Sequence, residues 1–196
     1  MPKIVDHDQR RREIVEATWK IIARDGIESV TMRHLAGQMG MANGALARYF
    51  SSKGEILAAA LAFAFDATNQ RFAAAGGHGL RGAAAMRAFL HEAFPFEEVT
   101  RLEALIVIPF FEYAQHDEKL RAFWEDSLQA WVGLFSRMFA EMIEDGEARA
   151  DLDQEAALDL LFTVISGVQA NALLLPERGT AARLHGLVES VLAAYR

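Results

Sequence analysis

The chain of 196 residues contains no cysteine, which excludes disulfides, thiolate zinc sites and cysteine nucleophiles. Only four prolines are present, so long helical segments run largely uninterrupted. Alternation of apolar and polar residues is nearly absent, which argues against a sheet-built fold. The longest apolar run, Ile56 to Phe65, is ten residues long and stops at Asp66; that is too short to span a bilayer. No apolar leader stretch opens the chain, so a soluble cytoplasmic protein with no membrane partner is expected. Phosphate-binding glycine loops and Gly-x-Ser-x-Gly elbows are missing as well. Glu112 and His116 stand one helical turn apart, but the Glu-x-x-His pairs of a di-iron bundle do not occur. No enzyme activity, cofactor or metal is expected.

What remains is 52% hydrophobic and 24% charged, a composition of globular rather than disordered chains. The length suffices for one sizeable core or two small ones. Net charge is −7, against a general affinity for nucleic acid, but the charge is unevenly placed. Residues 1–53 hold nine Lys/Arg against six Asp/Glu, whereas residues 54–196 hold eleven against twenty-one. A basic head on an acidic body suits one end that faces phosphates and another that repels them. Arg10, Arg11 and Arg12 lie where a basic cluster could reach a nucleic-acid backbone or simply be solvated.

Helical periodicity accounts for most of the chain. A first helix from about Asp8 to Asp25 places Ile14, Val15, Thr18, Ile21 and Ile22 on one face, with Trp19 as an anchor, and Gly26 closes it. Thr31 is positioned to cap a short second helix, with Val30 stapled on Leu35. Gly40 supplies the turn, and a third helix from Asn43 to Phe50 buries Leu46 and Phe50. Ser52 and Glu55 form a capping box for a fourth helix running to about Ala75. After a break at Gly76–Gly79 come helices over Leu80 to Phe94 and Arg101 to His116, the latter expected to kink or divide at Pro109. A long helix from about Glu118 to Asp145 follows.

The segment from Gln154 to Leu175 is apolar nearly all round and is stopped by Pro176. A final amphipathic helix carries Leu184, Leu187, Val188, Val191, Leu192 and Tyr195. Such a pair of helices, doubled, makes an intermolecular four-helix bundle, so a homodimer through the last two helices is expected. The predicted fold is therefore all-α with about nine helices: a three-helix helix-turn-helix domain over 1–51, and a helical dimerisation domain over 52–196, to which a family resemblance adds effector binding.

The run SVTMRHLAGQMGMANGALARYFSSKGEIL, residues 29–57, resembles the N-terminal domain of the tetracycline-repressor (TetR) family of bacterial transcription regulators. Gly26, Thr31, Leu35-Ala36, Gly40, Gly44, Leu46, Tyr49-Phe50, Lys53 and Ile56-Leu57 carry the likeness. The Gly167-containing helix, its Leu-Leu-Leu-Pro ending and the short last helix resemble the choline-responsive, BetI-like branch. This resemblance implies a dimeric repressor that grips a palindromic operator in double-stranded DNA and is released by a small-molecule effector. Contacts to DNA would come from Thr31, Arg33 and His34 on the second helix, from Ala42, Asn43, Gly44, Ala45, Arg48 and Tyr49 on the third, and from Lys53 at the start of the fourth. Asn43 and Arg48 have the chemistry to read adenine and guanine in the major groove. The family usually has Ser or Thr where Ala42 stands and a tyrosine where Ala47 stands, which lowers the expected affinity.

An effector pocket is expected among Phe63, Phe89, Phe110, Trp124, Trp131 and Phe162, with Glu112, Tyr113, Gln129 and Ser166 to orient a ligand. Glu112 beside aromatic rings would suit a cation. The alternative is a helical small-ligand sensor or partner-binding protein that has lost DNA binding, consistent with Ala42 and Ala47.

Overall fold

The computed structural model describes residues 7–196; the first six positions of the expected 1–51 domain lie outside the described residues. Among the described residues there are nine α-helices and no strand. They are α1 (His7–Asp25), α2 (Met32–Gln38), α3 (Asn43–Leu46), α4 (Lys53–Ala74), α5 (Gly82–Ala93), α6 (Glu98–His116), α7 (Glu118–Glu144), α8 (Gln154–Leu174) and α9 (Ala181–Ala193). Short 3-10 turns at Ile27–Ser29, Gly77–Gly79 and Pro176–Arg178 link some of them.

Two compact units divide the chain, residues 1–64 with 105–123 and residues 65–104 with 124–196. In the first, α1 buries the five residues of its apolar face. Thr18 is tolerated there because its hydroxyl donates to the Ile14 carbonyl at 2.9 Å. The Trp19 indole donates to the Ala60 carbonyl at 3.3 Å and meets Phe63 edge-on at 5.4 Å. That anchors α1 on the front of α4.

The second unit is built round aromatic rings packed edge to face. Phe89 lies 5.4 Å from Phe72, 5.1 Å from Trp131 and 4.9 Å from Phe135, and Phe135 lies 5.5 Å from Phe162. Phe139 packs edge-on against Tyr195 at 4.9 Å, and the Tyr195 hydroxyl donates to Ala157 at 3.3 Å. Burial pushes that phenol up to about 12. α5 starts without a side-chain cap of its own. Instead Glu141 and Glu147 accept the Gly82 and Ala83 amides at 2.9 and 2.8 Å, satisfying donors that a helix start leaves open.

Several boundaries differ from expectation for identifiable reasons. α6 begins at Glu98 rather than near Arg101, because the Thr100 hydroxyl accepts the Glu97 amide at 3.1 Å and closes the first turn. Pro109 lies inside α6 without dividing it; a proline removes one amide bond, here to the residue-105 carbonyl, and neighbouring turns persist. The division between the two units also falls at residues 104/105. α3 is shorter than expected, ending at Leu46, and the chain reaches Phe50 through turn-like bonds from Tyr49 and Phe50 to the Leu46 carbonyl. In the capping box, Ser52 accepts the Glu55 amide as expected, but the Glu55 carboxylate reaches one residue further back, to the Ser51 amide and hydroxyl. Those bonds hold the Glu55 carboxyl below its ordinary range.

α8 is long and apolar enough to cross a membrane by length and composition, a property that the uninterrupted-run criterion does not detect. One side of it is core: Ala157, Leu161, Ile165, Val168 and Ala172 are buried, and Gln169 donates to the Ala93 carbonyl at 3.1 Å. Leu160 and Leu174 are exposed, the latter by 79%, as are Leu175 just beyond it and Leu187 on α9.

Candidate nucleic-acid interface and effector core

The local chain logic of the helix-turn-helix begins at Thr31, whose hydroxyl accepts the His34 amide at 3.1 Å and caps α2. Val30 and Leu35, the two ends of the staple, are both fully buried. At the other end of α2 the Met41 amide bonds the Ala36 carbonyl at 2.8 Å and the Gly40 amide bonds Gly37 at 3.2 Å. This paired closure needs a left-handed residue between them, and Gly40 has φ of +63°.

The turn delivers α3 with Leu46 and Phe50 fully buried and Asn43, Gly44, Ala47 and Arg48 exposed. Asn43 and Arg48 therefore both present polar side chains to solvent from this short segment. Ala42 occupies the cap position and makes no side-chain bond. On α2, Thr31 and Arg33 are exposed and line, with His34, Gly37 and Gln38, an open depression of about 550 Å³. His34 is half-buried, with Nδ1 2.9 Å from the Ser29 carbonyl and Nε2 3.5 Å from the Gln38 amide. With Nδ1 as donor, that imidazole ties α2 to the preceding turn.

Other expected contact residues are engaged within the protein. Tyr49 is half-buried, and its ring lies 4.7 Å from that of His7, tilted by 33°. Lys53 donates to the Tyr113 hydroxyl at 2.7 Å, and Tyr113 donates onward to Glu28 at 2.8 Å. The Tyr113 phenol is pushed up to about 12, by burial first and by Glu28 second. Of the arginine cluster, Arg10 pairs with Glu13 at 2.5 Å. Arg11 lies 4.1 Å over the Phe50 ring and bonds the Tyr49 carbonyl. Arg11 thus fastens the end of the α3 segment to α1, a role that a run of three arginines does not distinguish from solvated charge.

The expected effector residues divide between the units. Phe63, Phe110, Glu112 and Tyr113 belong to the first, and Phe89, Trp124, Gln129, Trp131, Phe162 and Ser166 to the second. In the second unit Phe89, Trp131 and Phe162 join the ring cluster through Phe135, and Trp124 meets Phe65 at 5.6 Å. The Trp131 indole donates to Asn69 at 2.9 Å. Ser166 is half-buried, while Gln129 is exposed. In the first unit Phe110 is fully buried, Phe63 sits against Trp19, and Glu112 is exposed.

A group absent from the sequence expectations is the buried ion cluster of the second unit. Arg71 bonds Glu103 at 2.6 and 2.8 Å and Glu92 at 2.9 Å, and Thr68 donates to Glu103 at 3.3 Å. Burial raises the Glu103 carboxyl above its ordinary value, with Arg71 opposing. The signal was available: Glu103 lies three and seven residues before the buried Ile106 and Phe110, on the inward stripe of α6.

Comparison with known proteins matches the chain in two stretches. A family model described as bacterial regulatory proteins, tetR family, matches residues 14–60, and one described as BetI-type transcriptional repressor, C-terminal, matches residues 82–196. The HTH-type transcriptional regulator PksA of Bacillus subtilis (strain 168) is 29% identical over 191 residues, covering 96% of this chain and 90% of its own. The HTH-type transcriptional repressor KstR of Mycolicibacterium smegmatis is 43% identical over 72 residues, 35% of each chain. Among solved structures, a putative transcriptional regulator from Saccharomonospora viridis in complex with choline superposes with a TM-score of 0.83 at 21% identity, covering 95% of this chain and 96% of that one.

Proposed function

The chain belongs to the tetR family of bacterial regulatory proteins, and on that premise we propose how this transcriptional regulator meets its operator and its effector. It represses by binding a palindromic site in double-stranded DNA as a homodimer and leaves when a small molecule occupies the helical domain. The observation that carries the DNA assignment is the projection of Asn43 and Arg48 into solvent from a segment whose Leu46 and Phe50 are fully buried. A helix seated on its apolar side and free on its polar side can enter the major groove. Arg48 is assigned to guanine and Asn43 to adenine. Thr31, Arg33 and Lys53 are assigned to the phosphate backbone, and Gly44 and Ala45 allow close approach.

Pairing of subunits is assigned to α8 and α9, because Leu160, Leu174 and Leu187 lie exposed on these two helices. The effector is assigned to the aromatic core of the second unit, around Phe89, Trp131 and Phe162. Quaternary ammonium compounds are the first class to test, since aromatic faces attract cations and the Saccharomonospora regulator holds choline. As a bacterial regulator of DNA, the protein is assigned to the cytoplasm.

Fluorescence anisotropy with the DNA upstream of its own gene tests this assignment. Arg48→Ala is expected to weaken binding by about 1–3 kcal/mol and to relax sequence preference. One observation favours a second reading, a ligand sensor without DNA binding: Ala42 leaves the α3 cap without a side-chain bond. Absence of salt-sensitive DNA binding by the parent protein selects that second reading.

A further inference from the structure

Lys53 is the first residue of α4, where the helix dipole opposes a positive charge. Its ammonium is nevertheless drawn inward, and the side chain is 27% exposed. Three contacts hold it. Nζ donates to Tyr113 Oη at 2.7 Å, stands 4.7 Å from the centre of the Tyr113 ring and lies 3.9 Å from Glu28 Oε2. Tyr113 Oη in turn donates to Glu28 Oε1 at 2.8 Å. With its proton committed to Glu28, the phenol oxygen presents only lone pairs to Lys53. The cavity at this point, about 460 Å³, is also lined by Glu112, His116 and Asp117. The ammonium is thus surrounded by acceptors and negative charge.

A phosphate competes for the same ammonium with charge-assisted bonds. The four-carbon stem of lysine lets a single charge serve either site. We propose that Tyr113 and Glu28 are positioning residues that park Lys53 away from DNA, so that phosphate contact by Lys53 requires release from the Tyr113–Glu28 pair. Glu28 precedes α2, Lys53 opens α4 and Tyr113 lies near the end of α6, so three separate segments set the availability of one backbone contact. This deepens the assignment of Lys53 to phosphate and rests on it.

The deciding variant is Tyr113→Phe, which removes the hydroxyl without altering formal charge. Anisotropy titrations of the full-length protein, on operator and on unrelated duplex over a range of salt, supply the measurement. Tyr113→Phe is expected to tighten binding several-fold on both duplexes, with the salt dependence steepened by roughly one phosphate contact. In the Tyr113→Phe background, Lys53→Ala must abolish that gain and flatten the salt dependence. Glu28→Gln is expected to act in the same direction, and whatever gain survives in a Lys53→Ala background measures the general loss of negative charge.

Unchanged or weaker binding by Tyr113→Phe, with Lys53→Ala still weakening binding, overturns the parking role while leaving the phosphate assignment intact. A Tyr113→Phe gain that persists without Lys53 overturns it equally. No effect of Lys53→Ala on affinity or salt dependence in either background removes both.

Discussion

Arg71 grips Glu103 through two nitrogens, Nη1 to Oε1 at 2.6 Å and Nη2 to Oε2 at 2.8 Å, and Glu103 is only 4% exposed. Glu92 and Thr68 complete the set. Removing one partner of a buried pair leaves the other charge uncompensated. Arg71→Ala is expected to cost about 3–5 kcal/mol in urea unfolding at neutral pH, measured with Arg71→Lys as the milder control.

The pH dependence of that cluster has a definite sign. The folded-state pKa of Glu103 lies above its unfolded value of 4.5, so the native chain holds this proton the more tightly. Its favourable contribution is complete below pH 4.5 and is lost as pH rises through the raised value. Unfolding curves from pH 4 to 7 should therefore show the parent losing stability relative to Glu103→Gln. A parent that gains on Glu103→Gln over that interval contradicts the sign.

Gly40 closes α2 at φ +63°, and nothing lies within 4 Å of where a Cβ would stand. The penalty of Gly40→Ala is therefore conformational alone, about 1–2 kcal/mol. Because the same turn delivers α3, the variant should also bind DNA more weakly at temperatures where it remains folded. Thermal unfolding followed by anisotropy at low temperature separates the two effects.

Arg11 seals the segment after α3 by covering Phe50 and bonding the Tyr49 carbonyl. Arg11→Ala removes packing together with a hydrogen bond to charge, about 2 kcal/mol in total. Arg12, exposed on the same helix, provides the comparison: Arg12→Ala should leave the melting temperature within a degree or two, since isolated surface substitutions change stability by about 0.5 kcal/mol or less. Equal destabilisation by both variants would refute the sealing role.

Leu174 and Leu160 project from α8 on the side away from its buried residues. Leu160→Glu combined with Leu174→Glu is expected to convert dimers to monomers in sedimentation at micromolar concentration, with little change in the helical signal. A parent protein that is already monomeric there rules out this interface.

The helical architecture was legible because its signals are local. Thr31 and Gly40 act where sequence alone places them, as a cap and a left-handed turn. The apolar spacing of α1 likewise marks the residues that are buried, and that of α9 does so except at Leu187, which is exposed. Charged side chains were harder to assign. Arg11, Lys53 and Glu103 each find partners 30 to 60 positions away, and periodicity carries no information about such pairings. For this reason Lys53 and Tyr113, expected in different sites, share a hydrogen bond. The shortness of α3 is hidden in the sequence for another reason: Leu46 and Phe50 are spaced as in a helix although regular bonding stops at Leu46.

The exposed leucines of α8 and the outward side chains of the α3 segment occupy different units of the chain, which gives the proposed pairing through the former a genetic consequence. An Arg48→Ala allele retains every leucine and is expected to enter mixed assemblies with wild-type chains, poisoning half of each reading pair. Its phenotype in a merodiploid should be dominant, and adding Leu174→Glu to the same allele should make it recessive.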